Sequence, residues 1–252
     1  MSYHYLYGIS RASFPEKELP RGLLNQEVQV MIKDQLCGYY SKIPGSQAEL
    51  TKFNQIKDQA AHNHPGLAHH QVVSHLASRT DLLPCAYLTG LKDEIQLEKL
   101  LRQNQSRLLQ TLDKIKDHCE WVLKVKLTKE DDPALSQALI GERESELSPK
   151  PGAQYILQKL KEKQEKEAFE APYRSFYQKI IQRLNTSFAR VSPFQVIPEK
   201  ELLKIIFLIP KKEQSSFKEK LRACQRDAKE SQWLSSGPWP CYYFAQINLP
   251  QP

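Results

Sequence analysis

The chain has 252 residues, 40% of them apolar and 26% charged, which is enough for one large domain or two of ordinary size and for a sizeable core without disulfides or metal. Its longest apolar run, Ile205-Ile206-Phe207-Leu208-Ile209, falls far short of the roughly 20 residues that span a bilayer. No basic stretch leads into an apolar segment at the N-terminus, so neither a membrane span nor a secretory signal is expected. Lys and Arg outnumber Asp and Glu by 36 to 29, a net charge of +7. Such a balance suits nucleic acid, an acidic protein or merely a well-solvated surface. The basic residues are mixed with acids, as between Lys200 and Lys229, which favours the last.

Residues 3–9, YHYLYGI, read as a buried strand ended near Gly8. Val28 and Val30 alternate, and Pro44-Gly45 marks a turn, so 26–43 is expected to form a strand or a hairpin. Val72, Val73 and Leu76 fit one face of a short helix. LLPCAYLTG (82–90) reads as a strand with its proline near the start. From Asp93 to His118, Leu97, Leu101, Leu108, Leu112, Ile115 and Cys119 recur at helical spacing, and Asp93 is the expected N-cap of one long helix.

Around residue 120 the period changes to two. Trp121, Leu123, Val125 and Leu127 alternate with Val122, Lys124 and Lys126, a half-buried strand. A polar stretch, 128–150, carries Asp131-Asp132-Pro133. Helical material follows: Tyr155, Ile156 and Leu160 lead into KEKQEKE, read as a solvated helical face. Beyond Pro172, the residues Tyr173, Tyr177, Ile180, Ile181, Leu184 and Phe188 form an apolar face over 172–188. Then come an extended segment at 189–197, an apolar strand LLKIIFLI (202–209), a helix marked by Phe217, Leu221 and Cys224, and a closing strand from Trp233 to Phe244, interrupted at Gly237-Pro238. The order β-α-β-β-α-β is that of the ferredoxin-like split motif. The expected fold is therefore α+β in two domains. Residues 1–118 form an α+β domain ending in the long helix. Residues 119–252 form a modified ferredoxin-like domain with a helical insertion at about 128–172 and a C-terminal tail.

The search for chemistry yields little. Five of the seven histidines, His62, His64, His69, His70 and His75, lie close together, yet no two are four apart and no Cys is near to complete a metal site. There is no G-x-S-x-G, no G-x-G-x-x-G and no P-loop. The cysteines Cys37, Cys85, Cys119, Cys224 and Cys241 include no C-x-x-C pair and read as free thiols of a reducing compartment. Cys85 and Cys241, among apolar and aromatic neighbours, read as buried and inert. Glu130-Asp131-Asp132 has nothing beside it to part the pKa values of its acids. No catalytic residue, metal or cofactor is expected. The split motif also hosts RNA-binding domains, but KIIFLIP (204–210) holds a single aromatic and no K/R-G-F/Y-G/A-F pattern. A basic ferredoxin-like nucleic-acid-binding module is thus the alternative rather than the leading reading. The remaining candidate is SGPWPCYYF (236–244). It is either a packed corner or a rigid aromatic surface for a protein partner, with Trp239, Tyr242, Tyr243 and Phe244 as the binding residues.

Several of these segments resemble the gas vesicle protein GvpL/GvpF family. YLYGI (5–9) is similar to its opening strand. His69, Val72, Val73 and Leu76 with LLPCAYLTG resemble its H-x-x-V-[VL] helix and L-P-x-R-F-G strand. CEWVLKVKL (119–127) resembles E-W-x-x-K-V, PGAQYILQKL (151–160) resembles G-x-x-Y-L, and SGPWPCYYF resembles G-P-W-P-P-Y-x-F. Ala86-Tyr87 stands where the family often has Arg-Phe, and Cys241 replaces the second proline of the aromatic motif. The resemblance implies a non-catalytic minor structural or assembly protein of the gas vesicle. It would bind the hydrophobic main shell protein, prevent its aggregation during nucleation and meet other gas vesicle accessory proteins. It implies no cofactor, no nucleic acid and no membrane.

Overall fold

The computed structural model describes residues 2–11, 18–45, 65–127, 151–184, 187–197, 202–228 and 231–246. His62, His64 and the polar stretch 128–150 lie outside the described residues. Five α-helices and two five-stranded sheets are found among them. The chain divides into two compact units, one of residues 1–120 with 238–252 and one of 121–237. The sequence reading kept 238–252 with the C-terminal domain. The division returns that segment to the first unit.

In the first unit, β1 (Ser2–Ser10) is the central strand. It pairs on one side with β3 (Leu36–Pro44), which pairs in turn with β2 (Gln29–Lys33), and on the other with the short β4 (Leu82–Pro84) and β5 (Gly90–Leu91). All these pairs are antiparallel. Along β1 the register with β3 slips between Leu6 and Gly8, leaving Tyr7 without a partner on β3, while its carbonyl accepts from the Cys85 amide at 2.9 Å on the other side. Tyr3, Tyr5 and Tyr7, at alternate positions of the strand, share one face. The three tyrosines form a core with Cys37, Tyr39 and Ile43 of β3 and with Val72, Val73 and Leu76 of α1 (Pro65–Ala77). The expected stripe of the short helix is the stripe that is buried.

Leu82–Pro84 is a strand, but its proline comes last, and Ala86–Leu88 turn before β5. The expected single strand over 82–90 is therefore two short ones. A close approach explains Gly90: a Cβ there would lie 1.5 Å from the Tyr3 hydroxyl oxygen.

The long helix expected over 93–118 is two helices, α2 (Glu94–Gln103) and α3 (Gln105–Ile115). Asp93 caps the first as expected, its carboxylate accepting from the Gln96 amide at 2.8 Å. At Asn104 the side-chain amide donates to the Leu100 carbonyl at 2.9 Å. The main-chain N–H of Asn104 donates to the same carbonyl at 3.2 Å, and its φ of −110° and ψ of 10° leave helical geometry between the two helices. The apolar stripes still face the core, with Leu97, Leu100 and Leu101 of α2 and Leu108, Leu112 and Ile115 of α3 buried. Asp117 takes a positive φ of 57° and ends the helical stretch. Cys119 thus belongs to the following strand, not to the helix.

That strand, β6 (His118–Lys126), shows the expected alternation: Trp121, Leu123 and Val125 are buried, while Val122 and Lys124 are half-buried. In the second unit the sheet order is β10-β6-β9-β7, with β8 also on β9. Its other strands are β7 (Arg190–Val191), β8 (Gln195–Ile197), β9 (Leu202–Pro210) and β10 (Gln232–Trp239). β9 is the apolar strand read from the sequence, buried from Ile205 to Ile209. Phe217, Leu221 and Cys224 of α5 (Gln214–Asp227) are buried, and Phe217 meets Phe207 and Trp121 at ring distances of 5.2 and 5.9 Å.

α4 (Pro151–Leu184) is one helix that passes through Pro172. Proline removes a helical hydrogen bond at a cost of about 3 kcal/mol. Here burial of Tyr173, Ile180 and Leu184 and the Arg183–Asp227 ion pair to α5 at 2.8 Å hold the following turns in place. The KEKQEKE run is a solvated face. Residues 158–168 are exposed and laced by pairs such as Lys159–Glu162 and Lys163–Glu167, each worth only a few tenths of a kcal/mol.

Candidate functional site

The segment singled out in the sequence folds as the end of β10 followed by a turn at 241–245. The closing strand expected to reach Phe244 therefore stops at Trp239. Gly237 takes a φ of 149°, a conformation that favours glycine.

The turn is held by one carboxylate. Glu120, on β6, is 3% exposed, and its Oε1 accepts from the amides of both Tyr243 and Phe244 at 2.7 Å. Two successive amides converging on one oxygen require a turn. A strand would send them to opposite sides. Ala245 N–H donates to the Cys241 carbonyl at 3.0 Å and Tyr242 N–H to the Pro240 carbonyl at 2.7 Å. The buried Cys241 thiol donates weakly to the His118 carbonyl at 3.6 Å.

Trp239 packs on His70 of α1, with ring centroids 4.9 Å apart. Tyr242 lies 6.3 Å from the same imidazole and packs against the core of the first unit. Tyr243 and Phe244 meet each other edge to face at 5.0 Å. All four are half-buried. Burial pushes the Tyr242 hydroxyl well above the usual phenol range, with the neighbouring Cys85 and Glu120 adding to it, so Tyr242 remains neutral. His70 is pulled below its ordinary value by burial, and its Nε2 is 3.1 Å from the Ser74 hydroxyl.

Beneath this segment lies a buried polar cluster that sequence reasoning did not assemble. Tyr5, fully buried, has its hydroxyl 2.8 Å from Nδ1 of His69, which is 3% exposed. The Leu88 amide donates to the same tyrosine oxygen at 3.2 Å. With the Tyr5 hydroxyl donating, His69 is neutral, and burial pushes its pKa down to about 4, the Cys85 backbone partly opposing. Tyr7 donates to the Ser41 hydroxyl at 3.0 Å and accepts from the Leu23 amide at 2.8 Å. The Cys85 thiol is pushed up to about 12 by burial, as expected of an inert core cysteine. Among the described residues, no three His, Cys, Asp or Glu side chains come together in a way that could hold a metal. The arrangement is one of packing and anchoring. The sequence carried no signal for Glu120, because the period of two sets it in phase with Val122, Lys124 and Lys126 on the less buried face of the strand.

The fold and this segment define a mixed α+β protein with two antiparallel sheets and an anchored aromatic turn. The family model for "Gas vesicle synthesis protein GvpL/GvpF" matches residues 3–246, and the chain belongs to that family. A search of curated proteins finds no match. Among solved structures, the chain is similar to the gas vesicle protein GvpF from Anabaena sp. PCC7120, with a TM-score of 0.72 and 19% identity over 98% of each chain. It is also similar to GvpF from Microcystis aeruginosa, with a TM-score of 0.72 and 17% identity over 97% of this chain and 99% of that one. At these identities the likeness is one of fold. Among the described residues, no helix is long and apolar enough to cross a membrane.

Proposed function

We propose that this chain is a non-catalytic minor structural or assembly component of the gas vesicle, acting in vesicle formation and located with the vesicle. In this reading it binds the hydrophobic main shell protein, prevents its aggregation during nucleation, and works beside other gas vesicle accessory proteins. The observation that carries the reading is the family match over residues 3–246. Physical chemistry supplies the mechanism: an unassembled shell subunit exposes apolar surface and strand edges, both of which aggregate. A well-charged protein that covers one such face keeps the subunit available for growth.

The aromatic segment Trp239, Tyr242, Tyr243 and Phe244 is the proposed contact. Its support is the half-burial of all four residues and the anchoring of the turn by Glu120, which lowers the entropy lost on binding. Trp239 and Tyr243 are the residues to test, because Tyr242 also packs on the core. We further read residues 119–252 as a modified ferredoxin-like domain with a helical insertion. In support, the order β10-β6-β9-β7 is that of a split βαβ sheet, with α4 and α5 as its two crossovers.

Co-purification with the main shell protein, together with fractionation of intact vesicles, tests the function. The chain is expected in both fractions, and its absence from both refutes the reading. Trp239→Ala combined with Tyr243→Ala is expected to weaken capture of the shell protein at least tenfold while the fold persists. Undiminished capture removes the contact assignment and leaves the assembly role standing.

A further inference from the structure

The two edges of the sheet in the first unit are unlike. On one side β1 is flanked by β4, three residues ending in Pro84, and by β5, two residues. Short strands and proline are the usual means of blunting an edge. On the other side the sheet ends in β2, five residues in unbroken register with β3, carrying neither proline nor bulge. Its sequence, Gln-Val-Met-Ile-Lys, is charged only at Lys33, and that ammonium is taken up by Glu98 of α2 at 2.6 Å. Ile32 is 62% exposed.

The register shows which backbone groups are outward. β2 and β3 are joined by the two-residue turn Asp34-Gln35, closed by the pair Lys33–Leu36. In a two-residue hairpin that closing pair is hydrogen-bonded, so Lys33, Met31 and Gln29 turn their amides and carbonyls toward β3. Val30 and Ile32 turn theirs outward. Among the described residues Arg21 bridges Glu27 at the far end of the outer edge, and Leu19 and Pro20 line a pocket with Gln29 and Val30 without forming a ladder with them. The open stretch is therefore Gln29–Lys33.

We infer that this edge pairs with the same edge of a second copy of the chain, antiparallel about a two-fold axis at Met31. The strand complements itself in that register. Val30 lies opposite Ile32 of the other copy, and both present outward amides and carbonyls, so each such pair exchanges two backbone hydrogen bonds. Met31 faces Met31, and Lys33 faces the neutral Gln29, so no like charges are opposed. Side chains directly opposite in a sheet share a face, so Val30 covers the exposed Ile32. Val30 already packs at the margin of the core built by Tyr39 and Val28, and pairing continues that core across the axis. The contact is small, which makes the association weak and reversible. The net charge of +7 on each copy opposes it, so added salt strengthens it by screening.

Sedimentation of the full chain in about 0.3 M salt, where the Debye length is short, tests the inference. A concentration-dependent dimer is expected. Ile32→Pro removes an outward N–H and leaves the β3 ladder intact, and Ile32→Lys places a charge at the seam. Each is expected to raise the dimer dissociation constant at least tenfold, with unchanged circular dichroism. The axis is tested by cross-linking. Facing residues of a non-hydrogen-bonded antiparallel pair have Cα atoms about 4.5 Å apart, within disulfide reach. Met31→Cys is therefore expected to form an intermolecular disulfide under mild oxidation. Gln29→Cys is expected not to, because its counterpart lies four residues along, roughly 14 Å away. A chain that stays monomeric up to about 0.5 mM, beyond the range of weak specific association, overturns the inference. So does a dimer indifferent to both Ile32 variants, equal cross-linking by Gln29→Cys, or an edge that pairs only with an unrelated extended peptide.

Discussion

Replacing His69 with Gln isolates a buried imidazole whose charge state the fold dictates. In the unfolded chain its pKa is near the ordinary 6.5, whereas burial in the first unit lowers it to about 4. The folded state therefore binds fewer protons than the unfolded state between these values. Stability contributed by the neutral imidazole is fully present above about 6.5 and is lost as the pH falls toward 4. At pH 4.5 the unfolded chain gains about 2.7 kcal/mol from protonation, and the folded chain recovers only a few tenths, leaving a loss of about 2.5 kcal/mol. Glutamine cannot titrate and still offers the Tyr5 hydroxyl an acceptor. Urea denaturation of both proteins at pH 7 and pH 4.5 cancels the titration of every other group in the difference. The advantage of the natural chain over His69→Gln is expected to shrink by about 2.5 kcal/mol on acidification. A difference that stays constant within about 0.5 kcal/mol, of the order of urea-extrapolation error, would refute the neutral, buried His69. One that widens would show that His69 gains a proton on folding.

Glu120→Ala leaves the amides of Tyr243 and Phe244 without their acceptor and is expected to cost about 2–4 kcal/mol, two charge-assisted bonds being at stake. Glu120→Gln keeps one neutral acceptor and should cost less. Urea midpoints and the rate of proteolysis within 238–246 report both. Gly90→Ala drives a methyl group into the Tyr3 ring, an overpacking worth about 1–3 kcal/mol. The double variant Gly90→Ala with Tyr3→Leu is expected to be more stable than the sum of the two single effects, and a thermal melt of all four proteins would expose strict additivity if the clash is absent.

Much of this protein is written in local patterns. The period of two from Trp121 to Leu127, the helical stripes over 94–115, the capping aspartate at 93 and the apolar run of β9 each depend on residues a few positions apart, and each appears where expected. So does the solvated face of α4, because a run of alternating charges has no burial to hide. The order of strands and helices after residue 118 was legible for the same reason. The aromatic turn was only partly legible: its residues were singled out, but as a strand, since aromatic side chains favour extended backbone.

What tertiary structure decided are the places where a distant group outweighs a local preference. Glu120 bends 241–245 into a turn by taking two successive amides, across a separation of more than a hundred residues that no spacing rule reads. Packing of Tyr173, Ile180 and Leu184 carries α4 through Pro172, where propensity alone would break it. Asn104 leaves helical geometry between α2 and α3, at a position that the continuous apolar spacing does not mark. His69 meets Tyr5 because α1 packs on the face of β1 that carries the alternate residues Tyr3, Tyr5 and Tyr7. Length and charge bounded the class of protein. The composition could not show that its aromatic residues are half-buried and anchored, because burial follows from contacts between segments that the chain brings together only on folding.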